Sequence, residues 1–134
     1  MLRMYEYSSV THIGEQPTGS SSSLQQVFYA CDKLTAIDKL ILKEDGSQTF
    51  DKTFYGCTLL ENITIEGTIG KSISFQWSDN LTHDSLMSII NALKDYSADT
   101  SGTTYTLTIG STNLAKLDED TELAVAYNKG WTVN

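Results

Sequence analysis

The side chains that could do chemistry in this chain are few. Two histidines stand at His12 and His83, two cysteines at Cys31 and Cys57, and a tyrosine recurs at Tyr5, Tyr29 and Tyr55. His83 is followed by Asp84 and Ser85, which together supply the three residue types of a nucleophilic triad. Triad members, however, meet in space from distant segments, and no G-x-S-x-G elbow accompanies these letters. "HDS" fits a helix N-terminus better. Two cysteines without a neighbouring pair of histidines do not make a zinc site. Walker and G-x-G-x-x-G motifs are absent, and "GTIG" at 67–70 is short enough to be a turn. No catalytic residue, metal or cofactor is therefore expected, and the chain is read as a non-enzyme.

The elements that hold these residues follow from a repetition. "FYACDKLTAI" starts at Phe28 and "FYGCTLLENI" at Phe54. A third copy, "MYEYSSVTHI", starts at Met4, with Met4, Tyr5, Tyr7, Val10 and Ile13 in the places of Phe, Tyr, Cys, Leu and Ile. The leucine and isoleucine places recur after 24 and then 26 residues. A period of this length with a Leu-x-x-Ile core signals a leucine-rich-repeat solenoid. Each unit supplies a short strand near its Leu-x-x-Ile segment, and neighbouring units stack those strands into a parallel sheet about 4.8 Å apart. One unit cannot bury its apolar side alone, so Phe28, Leu34, Ile37, Phe54, Leu60 and Ile63 are expected in the core.

Beyond Ile65 the pattern changes. "KSISFQW" alternates Ile73, Phe75 and Trp77 with polar residues, as a half-buried strand does. "THDSLMSIINALKDY" places Leu86, Ile89, Ile90 and Leu93 at helical spacing, with Thr82 or Asp84 as the cap. "TYTLTIG" is a further alternating strand. "DEDTELAVAYNKG" is a second helix, capped by Asp118 and closed at Lys129 and Gly130, and "WTV" adds a last strand. The expected fold class is α/β. It comprises a short leucine-rich-repeat solenoid with parallel strands over residues 1–75 and a C-terminal α/β cap over residues 76–134, in one continuous domain.

Composition limits the partners. The chain has 134 residues, 40% of them hydrophobic, and a formal net charge of −8. One domain with a real core is expected. The negative charge repels phosphate backbones and anionic lipid, so neither nucleic acid nor membrane insertion is expected. The start, "MLRMYEYSSV", lacks the apolar stretch of a signal peptide.

The repeat gives the cysteines and tyrosines their context. Cys31 and Cys57 occupy matching places, so stacked units bring them near each other. A disulfide and a pair of reduced, buried thiols are the two readings. Strand-like stacking sets side chains nearer 5 Å than the ~3.5–4.5 Å between Cβ atoms that a disulfide needs, which favours the thiols. Tyr5, Tyr29 and Tyr55 would align as a ladder. They are the candidate ligand-binding residues, since tyrosine joins contact area to a polar tip. The competing reading packs them under the connecting loops. The strand positions His12, Ala36 and Asn62 are small or polar and offer no evident contact point.

The "F-Y-x-C-x-x-L-x-x-I" units resemble the BspA-like leucine-rich repeats of bacterial and phage proteins. The tail, "SLMSIINALKD", "YTLTIGSTNLAKL" and "AVAYNKGWTV", looks like the segment that closes many phage- or prophage-encoded members. Tyr7 stands where the first copy would carry its Cys. The resemblance implies a non-enzymatic binding or structural module of a bacterial surface or phage-tail protein, located outside the cell, at the cell surface or on the virion. A protein or a glycan is the ligand class it implies. A glycan-active hydrolase and a purely structural cap of a longer repeat protein are the alternatives. The first unit has no cover at its outer side, which points to further repeats upstream or to a homodimer through that end.

Overall fold

The computed structural model describes residues 2–134. The fold is mixed α/β, with two small parallel sheets among the described residues. The first sheet has the order β1 (His12–Pro17), β2 (Ala36–Ile41), β3 (Asn62–Glu66). Its register aligns His12 with Ala36 and Asn62, and Ile13 with Ile37 and Ile63. Those isoleucines point inward and are buried, as are Phe28, Leu34, Phe54 and Leu60. Parallel strands need a long return. Here the return is the connecting loop with its "FY" turn, and the turns pair as well. Phe28 N–H donates to Thr53 O at 3.0 Å, and Tyr5 N–H donates to Val27 O at 2.8 Å.

These turn bonds correct the alignment of the first copy. Left-handed backbone recurs four residues apart at Arg3 and Tyr7, at Gln26 and Ala30, and at Lys52 and Gly56. Tyr5 therefore stands where Phe28 and Phe54 stand, and Met4 does not. Ser8, rather than Tyr7, takes the cysteine place. The first copy is one residue shorter between its aromatic and Val10, so the same letters slide by one before the Leu-x-x-Ile core comes back into step.

A fourth copy follows, which the sequence pattern concealed. Phe75, Ser78, Leu81 and Thr82 each stand 21 residues after Phe54, Cys57, Leu60 and Glu61. Ser78 Oγ donates to Cys57 O at 2.8 Å, three residues further along the preceding copy than the carbonyl that the Cys57 thiol reaches, Phe28 O at 3.1 Å. The row runs on through Glu61 N–H to Thr35 O and Thr82 N–H to Glu61 O, both 2.9 Å. The strand expected over "KSISFQW" is only β4 (Ile73–Ser74), because the chain turns at Gln76 and Trp77.

At Thr82 the chain leaves the pattern and enters α1 (His83–Ala92), with Thr82 as N-cap accepting from Ser85 N–H. The helix lies along β3 and satisfies its edge with side chains. Ile63 N–H donates to Ser85 Oγ at 3.0 Å and Ile65 N–H to Ser88 Oγ at 2.9 Å. Two serines one helical turn apart thus replace the carbonyls of a neighbouring strand, and Leu86, Ile89 and Ile90 fill the core behind them.

The second sheet has the order β4, β5 (Tyr105–Thr108), β6 (Trp131–Val133). A short α2 (Gly110–Leu114) follows β5. The helix expected after Asp118 begins as a π-helical turn over Glu119–Leu123 and becomes α3 (Ala124–Asn128). Asp118 caps it by accepting from Thr121 N–H at 2.8 Å. Two glycines allow the close passage between the layers. A Cβ on Gly67 would lie 2.2 Å from Leu42 O, and one on Gly70 2.2 Å from Gly46 O.

Candidate functional site

Two columns of aromatic rings run along the four copies. The inner column is Tyr5, Phe28, Phe54 and Phe75, with centroids 5.5, 5.4 and 4.5 Å apart and interplanar angles of 8°, 17° and 24°. It is part of the core, and Tyr5 keeps its hydroxyl bonded to Gln16 Oε1 at 2.8 Å. Tyr5 is therefore not a member of the expected ladder. The one-residue shift in the first copy places it in the phenylalanine column.

The outer column is Tyr7, Tyr29, Tyr55 and Trp77. Tyr29 and Tyr55 stack at 4.9 Å and 6°. Tyr7 meets Tyr29 edge-on at 5.5 Å and 74°, and Trp77 lies tilted over Tyr55 at 4.9 Å and 57°. Tyr7, Tyr55 and Trp77 are 72%, 37% and 42% exposed, while Tyr29 is half-buried. Partial burial and its tyrosine neighbours raise the Tyr29 pKa, so its hydroxyl stays protonated at neutral pH. The structure thus brings Tyr29 and Tyr55 together at the surface and adds Tyr7 and Trp77.

The column ends at an open groove of about 480 Å³ between the turn of the third copy and the second sheet. Tyr55, Trp77, Phe50, Asp51, Lys52 and Lys71 line it, with Ser72, Ser74, Thr106 and Thr108 along the sheet side. Its charges are unevenly committed. Asp51 accepts from Gln25 Nε2 at 3.2 Å. Lys52 and Lys71 have no side-chain partner among the described residues. On the strand face, by contrast, Lys39 sits between Glu15 and Glu66 at 3.6 and 3.3 Å, and His12 Nε2 lies 2.7 Å from Asp38 Oδ1. His12, Ala36 and Asn62 there line up in register and form no aromatic patch.

No family model, curated protein or solved structure matches this chain. Its chemistry has to be read from its own geometry.

That geometry separates the other candidates. The imidazole of His83 contacts Glu122 Oε2 through Nε2 and lies 3.9 Å from Asp84 Oδ1 through Nδ1. The Ser85 hydroxyl is buried and donates to Glu61 O at 2.9 Å. "HDS" is thus a helix start whose serine holds the edge of β3. Cys31 and Cys57 are free, buried thiols. Cys31 donates to Tyr5 O at 2.9 Å, and burial raises its pKa. Burial, with the neighbouring Cys31 adding to it, pushes the Cys57 thiol up to about 12. Both are neutral donors rather than thiolate nucleophiles. Among the described residues no three His, Cys, Asp or Glu side chains gather as a metal would require, and no helix is long and apolar enough to cross a membrane.

Sequence reasoning missed Tyr7, Trp77, Lys52 and Lys71. The signal for Trp77 was present: "FQWS" repeats the aromatic, x, x, Cys order with serine in the thiol's place. The lysines sit in "FDKT" and "GKS", just ahead of two consecutive repeat aromatics.

Proposed function

We propose that the chain is a short leucine-rich-repeat solenoid of four coils, covered on its C-terminal side by α1 and the second sheet, and that it serves as a non-enzymatic binding module. Its contact face is the outer aromatic column with the groove at its end. The observation that carries this reading is the column itself. A repeat needs one aromatic per coil for its core, and the inner column supplies it. The second row is not needed for packing and keeps much of its area in water. Exposed contiguous aromatic surface marks a contact site.

The resemblance to BspA-like repeats supports placing this module at a bacterial surface or on a virion, with a glycan or a protein as ligand. A glycan hydrolase is less well supported. Glycoside hydrolysis ordinarily uses two facing carboxylates, and the groove presents only Asp51, which is bonded to Gln25. A glycan array probed with the wild-type protein and with Tyr55→Ala and Trp77→Ala variants tests the reading. Retention lost in both variants, with unchanged folding, is the expected outcome. Retention that ignores both substitutions would contradict it, and the absence of any retained glycan or protein ligand would favour a purely structural role.

A further inference from the structure

We infer that the groove beside Trp77 takes a carboxylate-bearing saccharide. The inference rests on the binding-module reading and names its ligand class. Three observations converge on it. First, the groove floor joins two aromatic side chains, Tyr55 and Trp77, that are each more than a third exposed. Aromatic rings offer an apolar face to the C–H face of a sugar ring, while Tyr and Trp also carry polar edges. Second, hydroxyl residues, including Thr106 and Thr108, also line the groove. Third, the groove holds two lysines, Lys52 and Lys71, that have no side-chain partner among the described residues.

The third observation decides the sign of the ligand. The chain carries 9 cationic side chains against 17 carboxylates, and its lysines differ in how they are engaged. Lys39 is held by two glutamates. Lys94, Lys116 and Lys129 each donate to backbone carbonyls, at 3.2, 2.7 and 3.1 Å. Lys33 has no side-chain partner among the described residues and Lys43 acts on Asp45 through its charge, but neither lines the groove. Lys52 and Lys71 alone line one concavity together with stacked rings. A carboxylate bound in this groove can pair with these lysines without displacing an internal ion pair. Asp51, the one carboxylate among the lining residues, is already engaged by Gln25. The groove's size lies in the ~300–1,000 Å³ range of small-ligand sites. A protein partner would need roughly 800 Å² of matching face, so a short saccharide segment is the better occupant. The net negative charge of the whole chain disfavours approach of an anion over long distance. Beyond the Debye length, about 10 Å at 0.1 M salt, that repulsion is screened, whereas contact pairs in the groove persist.

The test is isothermal titration at 0.1 M salt with trigalacturonic acid and with its methyl ester. The ester keeps the rings and hydroxyls and removes the charge. The acid should bind more tightly than the ester. Lys52→Gln and Lys71→Gln should each weaken the acid roughly threefold and leave the ester unchanged, and Trp77→Ala should weaken both. Thermal melts of every variant separate lost binding from lost folding. Equal binding of acid and ester, or indifference to both lysine changes, would overturn this inference and leave the binding module standing. Binding of neither probe, while the array retains other ligands, would overturn it too. Binding of neither, with no array ligand at all, would remove both readings.

Discussion

Phe54 and Tyr55 are adjacent in sequence and should behave in opposite ways when truncated. Phe54 is fully buried between Phe28 at 5.4 Å and Phe75 at 4.5 Å. Phe54→Ala removes a core ring and its stacking on two neighbours, at a cost of about 3–5 kcal/mol. That is a large part of the ~5–15 kcal/mol available to a domain. At ~3–5 °C per kcal/mol for a chain of this size, the melting midpoint should fall by roughly 10–20 °C. Tyr55 is 37% exposed and stacks on Tyr29 at 4.9 Å. Tyr55→Ala should cost only about 1 kcal/mol, the scale of one aromatic pair, while removing ligand retention. Equilibrium unfolding in urea, followed by far-UV circular dichroism, measures both. A Phe54→Ala loss below about 2 kcal/mol, or a Tyr55→Ala loss equal to it, would refute the division into an inner and an outer column.

Ser85→Ala leaves the buried Ile63 N–H without its partner and Glu61 O with Thr82 N–H alone and should cost about 1–3 kcal/mol, whereas the more exposed neighbouring change Asp84→Ala should cost far less in the same urea melts. Cys31 and Cys57 should react slowly with a thiol reagent until the protein unfolds, and the native mass should show no two-hydrogen deficit. Because the Cys57 thiol stays protonated to about pH 12 in the fold and to only about pH 8.5 when unfolded, the folded state holds more protons in between. Stability should therefore fall as pH rises from about 9 to 12, and Cys57→Ser should lessen that slope; a rise in stability over this window would show the sign to be wrong. The outer edge of β1 has no strand beside it among the described residues, so we propose that two copies pair through that edge. Light scattering across a concentration series should show a dimer that Val10→Lys dissolves, and a chain that stays monomeric at high concentration would rule this out.

The parallel sheet was legible because its determinants are local and repeated. Ile13, Ile37 and Ile63 recur at the same distance from Val10, Leu34 and Leu60, and each isoleucine lands in register. Thr82 and Asp118 announced both helix starts because a capping side chain has to precede the first turn. Two features escaped for one physical reason: a repeat is defined by the place a side chain fills, not by its letter. Tyr5 fills a phenylalanine place once the chain is shortened by a single residue. Ser78 fills a cysteine place because a hydroxyl, like a thiol, donates to a backbone carbonyl of the preceding copy. Read by letters, the third repeat was the last, and Trp77 looked like the end of a strand. The groove was illegible for a different reason. Lys52 and Lys71 are separated along the chain, and only the docking of the second sheet beside the third turn brings them together. The π-helical turn after Asp118 likewise left no periodic mark over five residues.

The most direct test of the account is a map of amide chemical-shift changes on adding trigalacturonic acid to the isotopically labelled protein. The account predicts changes concentrated at residues 49–55 and 71–77, together with the indole N–H of the exposed Trp77, while the buried Trp131 stays still. Changes confined to the strand face around His12, Asp38 and Asn62, or none at saturating ligand, would contradict it.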